Sequence, residues 1–212
     1  CESLTSVTDP QPKLIGRPRS INGTSGSWTF NQLFATGSTE LVALAIASDA
    51  KRSSLISEAG MRAFTFDRSV YPSQVFWSAS GGLQSGPMTS IGGALLSADL
   101  TSCSALEFAD NNGDLFVAGC TKGLGQNNIL RVPRNPTSPG SPSQTVVVPN
   151  VDVPQLAALA TSANPLLYIV RNKGLFMLGG AQGTSPPISV HLSSAPQGMG
   201  LSASGREIAW VD

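Results

Sequence analysis

ALEFADNNGDLFVAGC (residues 105–120) consists of two apolar, strand-like segments around an Asn-Gly turn. Asn-Gly between apolar runs is among the strongest short-range signals for a β-hairpin. Four other stretches repeat this design of strand, turn and strand ending in a large side chain, namely QLFATGSTELVALAIA (32–47), AFTFDRSVYPSQVFWSAS (63–80), AALATSANPLLYIV (157–170) and MGLSASGREIAWVD (199–212). This recurrence decides the fold class.

The five units recur at a nearly regular spacing. Aligned on Leu44, Phe76, Phe116, Tyr168 and Trp210, they are separated by 32, 40, 52 and 42 residues. A strand-rich unit that recurs about every forty residues is typical of a β-propeller. We therefore predict an all-β fold, a β-propeller of about five blades. A fragment of a larger propeller and a β-sandwich are the alternatives that the same pattern allows.

The remaining strands of each blade are expected between the units. NNILRVP (127–133), TVVVP (145–149) and PISVHL (187–192) have the composition of outer strands. The last unit has no such strands after it in this sequence, so we expect KLIG (13–16) and SWTFN (27–31) to complete its blade. Closure of this kind would remove exposed sheet edges. The spacing of only 32 residues between the first two units predicts a first blade with three strands.

Bulk composition narrows the class of protein. Hydrophobic residues make up 41% of the chain and charged residues 12%, with 13 basic side chains balancing 13 acidic ones. A disordered chain would have fewer apolar residues and more net charge. Zero net charge leaves no basic footprint for nucleic acid. The longest apolar run, LVALAIA (41–47), is too short to span a bilayer and fits a buried strand.

Two of the three cysteines bracket one predicted hairpin. Cys103 and Cys120 fall about opposite each other if the turn lies near Asn111–Gly113. Cross-strand neighbours have about the Cβ separation that a disulfide requires. We therefore predict a Cys103–Cys120 disulfide, which implies an oxidising compartment. Two buried free thiols are the alternative.

Cys1 is left without a partner in this scheme. The start of the chain, CESLTSVTDPQPK, resembles a mature bacterial lipoprotein, in which a lipidated Cys precedes a polar tether. The resemblance implies lipid attachment at Cys1, a tether over residues 1–12 and a propeller domain over 13–212. It also implies membrane anchoring in the bacterial periplasm, at the outer membrane or at the cell surface. An arbitrary chain boundary is the alternative.

Two runs, DNNGDLFVAG followed by NNILRVP and GLFMLGGAQG followed by ISVHL, resemble repeats of NHL-like and gluconolactonase-like propellers. The resemblance implies the propeller fold. It also raises the alternative of a metal-dependent lactonase or hydrolase, whose axial metal needs acidic side chains on the innermost strands. Here Glu107 is the one carboxylate inside a strand-like run, and the others are expected at turns or edges, namely Asp49, Asp67, Asp99, Asp110, Asp114 and Asp152. We predict no catalytic residue, metal or cofactor.

Other residues that could bind a metal ion or a sugar, or take part in catalysis, have simpler interpretations. Asp110–Asp114 resembles the start of a calcium loop, but its Gly is at the fourth position and Thr121 stands where the bidentate Glu belongs. The segment is therefore predicted to be a turn. His191, the single histidine, is expected on a strand without a catalytic role. The repeat aromatics are predicted to be core between blades and not a sugar platform, namely Phe76, Trp77, Phe116, Tyr168, Phe176 and Trp210.

These observations predict a non-catalytic, membrane-tethered, extracytoplasmic binding or scaffold subunit. Its partners are expected to be other proteins of a cell-envelope complex, with no role for nucleic acid. Long loops on rigid scaffolds tend to carry function, so the Pro/Ser-rich segment 135–143 and the Gly-rich segment 80–93 are the predicted contact regions. A carbohydrate-binding propeller is a further alternative.

Overall fold

The computed structural model describes the backbone of residues 13–14, 32–36, 40–45, 52–67, 74–87, 93–109, 113–133, 144–153, 155–158, 166–179, 186–194, 198–201 and 208–211. Within these ranges the chain is all-β, with one short 3-10 helix at Leu124–Gln126. A search of the same ranges finds no helix with the length and apolar character needed to cross a membrane.

The strands form consecutive antiparallel meanders. The first sheet consists of β1 (Lys13–Leu14), β2 (Gln32–Thr36), β3 (Glu40–Ala45) and β4 (Arg52–Ser57). The second consists of β5 (Ala63–Asp67), β6 (Gln74–Ala79), β7 (Gly82–Pro87) and β8 (Ala94–Ser97). In both sheets the strands lie side by side in chain order.

The second half of the chain continues the pattern. The third sheet consists of β9 (Ala105–Ala109), β10 (Asp114–Ala118), β11 (Asn128–Pro133) and β12 (Thr145–Pro149). The fourth consists of β13 (Gln155–Ala158), β14 (Leu166–Val170), β15 (Gly174–Leu178) and β16 (Ile188–Leu192). In the described residues the fifth sheet has two strands, β17 (Gly198–Leu201) and β18 (Ile208–Val211). All five predicted hairpins are therefore present.

A bulge between the third and fourth strands marks the same place in each four-stranded sheet. One apolar residue of the outer strand is skipped by the pairing, namely Leu55, Leu96, Val147 and Val190 in sheets one to four. Bulges of this kind increase the local twist and help an edge strand to diverge. Their position shows that β3 and β4 are the third and fourth strands of the first sheet.

The position of the bulge in the first sheet corrects the predicted alignment of the first unit. Phe34 of β2, and not Leu44 of β3, lies on the second strand with Phe76, Phe116, Tyr168 and Trp210. The spacings then become 42, 40, 52 and 42 residues, so the first repeat is not short. The hairpin signal predicted the wrong alignment because β2–β3 pairs a second strand with a third, whereas β5–β6 pairs a first strand with a second.

The pairing of β1 corrects the prediction that residues 13–16 complete the last blade. Lys13 and Leu14 pair with Thr36 and Ala35 of β2, so they supply the first strand of the first sheet and not an outer strand of the last one. The first sheet accordingly has four strands instead of the predicted three. Residues 27–31, the other predicted closing strand, lie outside the described part of the chain.

The core consists of apolar layers between consecutive sheets. Leu115 and Val117 on one face of β10 belong to a cluster with Phe76 of the second sheet. Phe116 and Ala118, on the opposite face of the same strand, belong to a cluster with residues of the fourth sheet, namely Leu166, Tyr168 and Val170. The third sheet therefore buries both of its faces, which a strand of a two-layer sandwich does not do.

The first strands of successive sheets lie against one another. β5 contacts β9, β9 contacts β13, and β13 contacts β17. Side chains reinforce the contact, since the backbone N–H of Phe108 on β9 donates to Oγ1 of Thr65 on β5 at 3.3 Å. From the second to the fifth, the sheets are thus stacked in chain order, with their first strands as nearest neighbours.

The Cys103–Cys120 disulfide closes the third sheet's first hairpin. The register pairs Ala105 with Ala118, and the Ser104 N–H donates to the Gly119 carbonyl at 3.1 Å, so the two cysteines follow at the open end. Both side chains are buried in the apolar layer between the second and third sheets. The structure therefore agrees with the pairing predicted from hairpin symmetry.

Burial of Tyr168 predicts a loss of stability at alkaline pH. Burial raises the pKa of the Tyr168 phenol to about 12. Because the phenol of the unfolded chain ionises near 10, the free energy of unfolding should fall by about 1.4 kcal/mol per pH unit between about pH 10 and 12. Tyr168→Phe keeps the ring that stacks on Phe176 but removes this ionisation.

The prediction is checked by urea unfolding of wild type and Tyr168→Phe at neutral pH and above pH 10. The wild type should lose more stability than the variant over this interval. Parallel losses in the two proteins would show that Tyr168 ionises as easily in the folded state as in the unfolded one.

Candidate functional site

The antiparallel order sorts every connection to one of two ends of the stacked sheets. Connections between second and third strands, and between one sheet and the next, leave from one end, which we call the short-turn end. Connections between first and second strands, and between third and fourth strands, leave from the opposite end, which we call the long-loop end. Between the described strands, the eight segments at the short-turn end total 39 residues in sequence and the nine at the long-loop end total 72, most of which lie outside the described residues.

Backbone hydrogen bonds join the turns at the short-turn end to the connections between sheets. The Ser80 N–H donates to Ala59, Thr121 to Thr101, Arg171 to Asp152 and Ser193 to Lys173, all at 2.9–3.2 Å. Each bond joins a turn within one sheet to the connection that enters or leaves that sheet. Such bonds satisfy the polar groups of the connections and leave little freedom for a partner to remodel this end.

Buried polar contacts reinforce the short-turn end. Oγ of Ser78 donates to the Leu100 carbonyl at 3.0 Å and accepts from the Cys103 N–H at 2.9 Å, which joins β6 to the segment that enters the third sheet. Glu58 accepts a bond from Nε1 of Trp77 at 2.9 Å and another from Gln84. Glu58 gave no signal in the sequence, because its partners are 19 and 26 residues away in the chain.

One connection at the long-loop end has a distinctive composition. After β2, the longest connection at this end is 134–144, which joins β11 to β12. Nine of its eleven residues are Ser, Gly, Pro, Asn or Thr, and Arg134 is its only charged residue. Small polar residues of this kind supply adaptable hydrogen bonding in binding loops. The predicted contact segment 135–143 lies outside the described residues but belongs to this connection.

The other predicted contact segment is largely not a loop. Gly82–Pro87 forms strand β7, paired with both β6 and β8, and Ser80–Gly81 is a two-residue turn at the short-turn end. Gly82 has a φ of +119°, and a Cβ there would meet the Ser97 carbonyl oxygen. Gly82 therefore reflects a close approach of β7 to the outer strand β8. Residues 88–92 lie outside the described ranges.

Two carboxylates are located on neighbouring first strands. Glu107 is at the centre of β9, half-buried, as the sequence predicted. Asp67 was expected at a turn or edge, and it is the last residue of β5, an edge strand of the second sheet, where its side chain is fully buried. In the described ranges, no three His, Cys, Asp or Glu side chains are grouped closely enough to hold a metal ion.

The Asp110–Asp114 segment contains a turn in its described part. Gly113 has a φ of +67°, and its N–H donates to the Ala109 carbonyl at 3.1 Å. Asp114 begins β10, where burial raises the pKa of its carboxyl and the Arg131 guanidinium, at 3.9 Å, opposes that rise. Its carboxylate therefore faces Arg131 across the sheet. Residues 110–112 lie outside the described part.

The remaining predicted residues are placed as follows. His191 lies on strand β16, as predicted, and is half-buried. Phe76, Trp77, Phe116 and Tyr168 are buried, which confirms that they are core. Phe176 is partly buried and packs against the cluster that contains Phe116 and Tyr168. Cys1, the 1–12 segment and the Trp210 side chain lie outside what the structure describes.

Comparison with known proteins adds no assignment. The sequence matches no protein-family model and has no significant similarity to a curated protein. Function is therefore inferred from the geometry of this chain.

Proposed function

We propose that the chain is a β-propeller of about five blades that serves as a non-catalytic binding or scaffold subunit outside the cytoplasm. The fold proposal is supported by the chain-order stacking of the sheets and by the contacts among β5, β9, β13 and β17. First strands that are nearest neighbours, with outer strands on one side, are what a radial arrangement requires. A bulge in each outer strand fits the divergence of such blades.

The functional proposal is based on the difference between the two ends of the stacked sheets. A short-turn end held by backbone hydrogen bonds and a long-loop end rich in uncharged polar residues form a rigid scaffold with one adaptable face. The long-loop end is the face that contacts a partner protein. In the 134–144 connection, where Arg134 is the one charged residue, the composition favours shape and hydrogen bonding over electrostatic attraction as the basis of recognition.

The location follows from the two cysteine features. The buried Cys103–Cys120 disulfide supports folding in an oxidising compartment. Lipidation of Cys1 would hold the subunit at a bacterial envelope membrane, with residues 1–12 as the tether. The partners are then other proteins of an envelope complex.

A loop exchange tests this function. Replacing residues 135–143 with a short Gly-Asn turn should leave thermal unfolding unchanged, because the replaced residues include none of those that pair β11 with β12. Recovery of native partners after chemical crosslinking in the envelope should fall about tenfold. The matched control replaces Lys122, Arg171 and Lys173 of the short-turn end, all exposed, with Ala. Equal recovery with the loop variant and the wild type would contradict the proposal.

A further inference from the structure

The chain enters the first sheet from the short-turn end. Lys13, the first residue of β1, pairs with Thr36, the last residue of β2. The connection that follows Thr36, residues 37–39, joins a second strand to a third and therefore belongs to the short-turn end. Neighbouring strands of the sheet are antiparallel, so β1 begins at this end and runs away from it. Residues 1–12 are accordingly attached to the domain at the short-turn end.

A lipid on Cys1 would keep the short-turn end near the membrane. The segment of residues 1–12 spans at most about 40 Å when fully extended, and a flexible segment is shorter on average. Such a tether limits the distance of the domain from the membrane and not its rotation. The surface of the domain therefore decides which side touches the lipid. This inference rests on the lipidation of Cys1 that is part of the proposed function.

The connection 119–127 is the longest at the short-turn end. The corresponding turns of the second and fourth sheets are much shorter, Ser80–Gly81 and 171–173. The Cys120 N–H donates to the Gly125 carbonyl at 3.0 Å, and the Cys103–Cys120 disulfide joins the start of the connection to the segment before β9. These bonds hold the connection in one shape against the third sheet.

This connection presents an apolar side chain to solvent. Leu124 is the first residue of the 3-10 helix and is 55% exposed, whereas Gly125 beside it is buried against Cys120. The Leu124 carbonyl accepts a bond from Nδ2 of Asn128 at 2.7 Å, which fixes the backbone at this point. An apolar side chain on a preorganised loop can enter the boundary between headgroups and acyl chains with little cost in ordering.

The exposed charges of the short-turn end suit an anionic lipid surface. One carboxylate of its connections, Glu58, is half-buried and accepts bonds from Trp77 and Gln84. The other charged side chains of these connections are exposed, four basic and two acidic, namely Arg62, Lys122, Arg171, Lys173, Asp99 and Asp152. Four minus two leaves an excess of two positive charges. Basic side chains near an anionic leaflet favour contact with it.

We propose that the short-turn end faces the membrane and that the 119–127 connection touches an anionic lipid surface through Leu124. The lipid on Cys1 supplies the attachment, and the contact of Leu124 sets the orientation. The long-loop end then points away from the membrane, toward the partner proteins. Neutral replacements of basic side chains at the short-turn end would leave the subunit attached, because attachment belongs to Cys1.

Hydrogen exchange of the tethered full chain tests the orientation. Cys1 is coupled to a maleimide lipid in vesicles of phosphatidylglycerol and phosphatidylcholine, and the other two cysteines do not react because they form the disulfide. The reference is the same protein in solution with N-ethylmaleimide on Cys1. Exchange at residues 122–125 should slow about fivefold or more on the vesicles, since one basic side chain at an anionic surface favours contact by about that factor. Exchange at 134–144 should be unchanged.

Variants locate the contact. Leu124→Glu should abolish the slowing at 122–125, because anionic lipid repels a carboxylate and burying it is costly. Thr145→Glu is the matched control, since Thr145 is exposed and begins β12 at the long-loop end. Its slowing should equal that of the wild type. Equal slowing in Leu124→Glu, slowing at 134–144 in place of 122–125, or no slowing at either segment would overturn the proposal.

Two further measurements separate the explanations. Polyglutamate added to the reference protein represents an acidic protein partner, and slowing at 122–125 by polyglutamate but not by vesicles would overturn the lipid contact. The coupling supplies the anchor in these experiments, so their result does not depend on lipidation in cells, which the intact mass of the native protein decides. Absence of slowing on vesicles, with the loss of partners still seen on loop exchange, would overturn the orientation and leave the proposed binding function standing.

Discussion

Replacing Cys103 and Cys120 together with Ala is expected to lower the free energy of unfolding by about 3 kcal/mol. The disulfide closes a hairpin with a sequence separation of 17 residues, so its loss restores conformational freedom to the unfolded chain. Both cysteines are also buried between the second and third sheets, where smaller side chains leave space. Urea unfolding of the oxidised wild type and the double variant measures the difference.

Cys1→Ala is the control for the loss of a cysteine, because it leaves the buried pair intact. Its unfolding midpoint should match that of the wild type. Reductant added to the folded wild type should act slowly, since the two sulfur-bearing side chains are buried. A double variant as stable as the wild type would show that hairpin pairing alone holds this part of the third sheet.

Phe76→Ala is expected to cost about 4 kcal/mol of the free energy of unfolding. Phe76 is 0% exposed, and its ring stacks on that of Phe108 with centroids 5.4 Å apart. Phe76 is on β6 of the second sheet and Phe108 is on β9 of the third, so the pair joins two sheets. Removing one ring leaves a cavity between them. Chemical denaturation is the measurement, and Phe76→Leu should cost much less because it keeps most of the apolar volume.

Leu124→Ala serves as the matched control, because its side chain is mostly exposed and its loss should change stability by about 0.5 kcal/mol or less. A double-mutant cycle with Phe108→Ala isolates the contact between the rings, with an expected coupling of about 1 kcal/mol. Zero coupling would show that each sheet is stabilised independently of its neighbour, which contradicts a continuous core across consecutive sheets.

The hairpins were predictable from sequence because each is a local feature. The turn at Gly113 and the apolar segments around it specify both the pairing of β9 with β10 and the position of the two cysteines. The phase of the first repeat was not predictable in the same way. QLFAT and ELVALA form a hairpin by the same signals as AFTFD and QVFWSA, and only the bulge at Leu55 shows that they are the second and third strands.

Residues 80–93 and Asp67 show the same difference between what local sequence predicts and what packing decides. Gly-rich residues 80–93 have a loop-like composition, yet Gly82–Pro87 is a central strand because the outer strand approaches its backbone closely. Asp67 lies at the end of an edge strand, and its complete burial could not be read from its charge. Ser97, whose carbonyl oxygen Gly82 approaches, is 15 residues away in sequence, so no local pattern could reveal that contact.

The amino-acid sequence by itself determined the strand-rich class, the five hairpins and the pairing of Cys103 with Cys120. Turn chemistry and two-residue alternation act over short distances, so they are readable along the chain. Tertiary structure alone decided the phase of the first sheet, the place of Lys13–Leu14 and the exposure of Ile188 and Val190. These depend on which sheet covers which face, and that is set by packing between segments far apart in sequence.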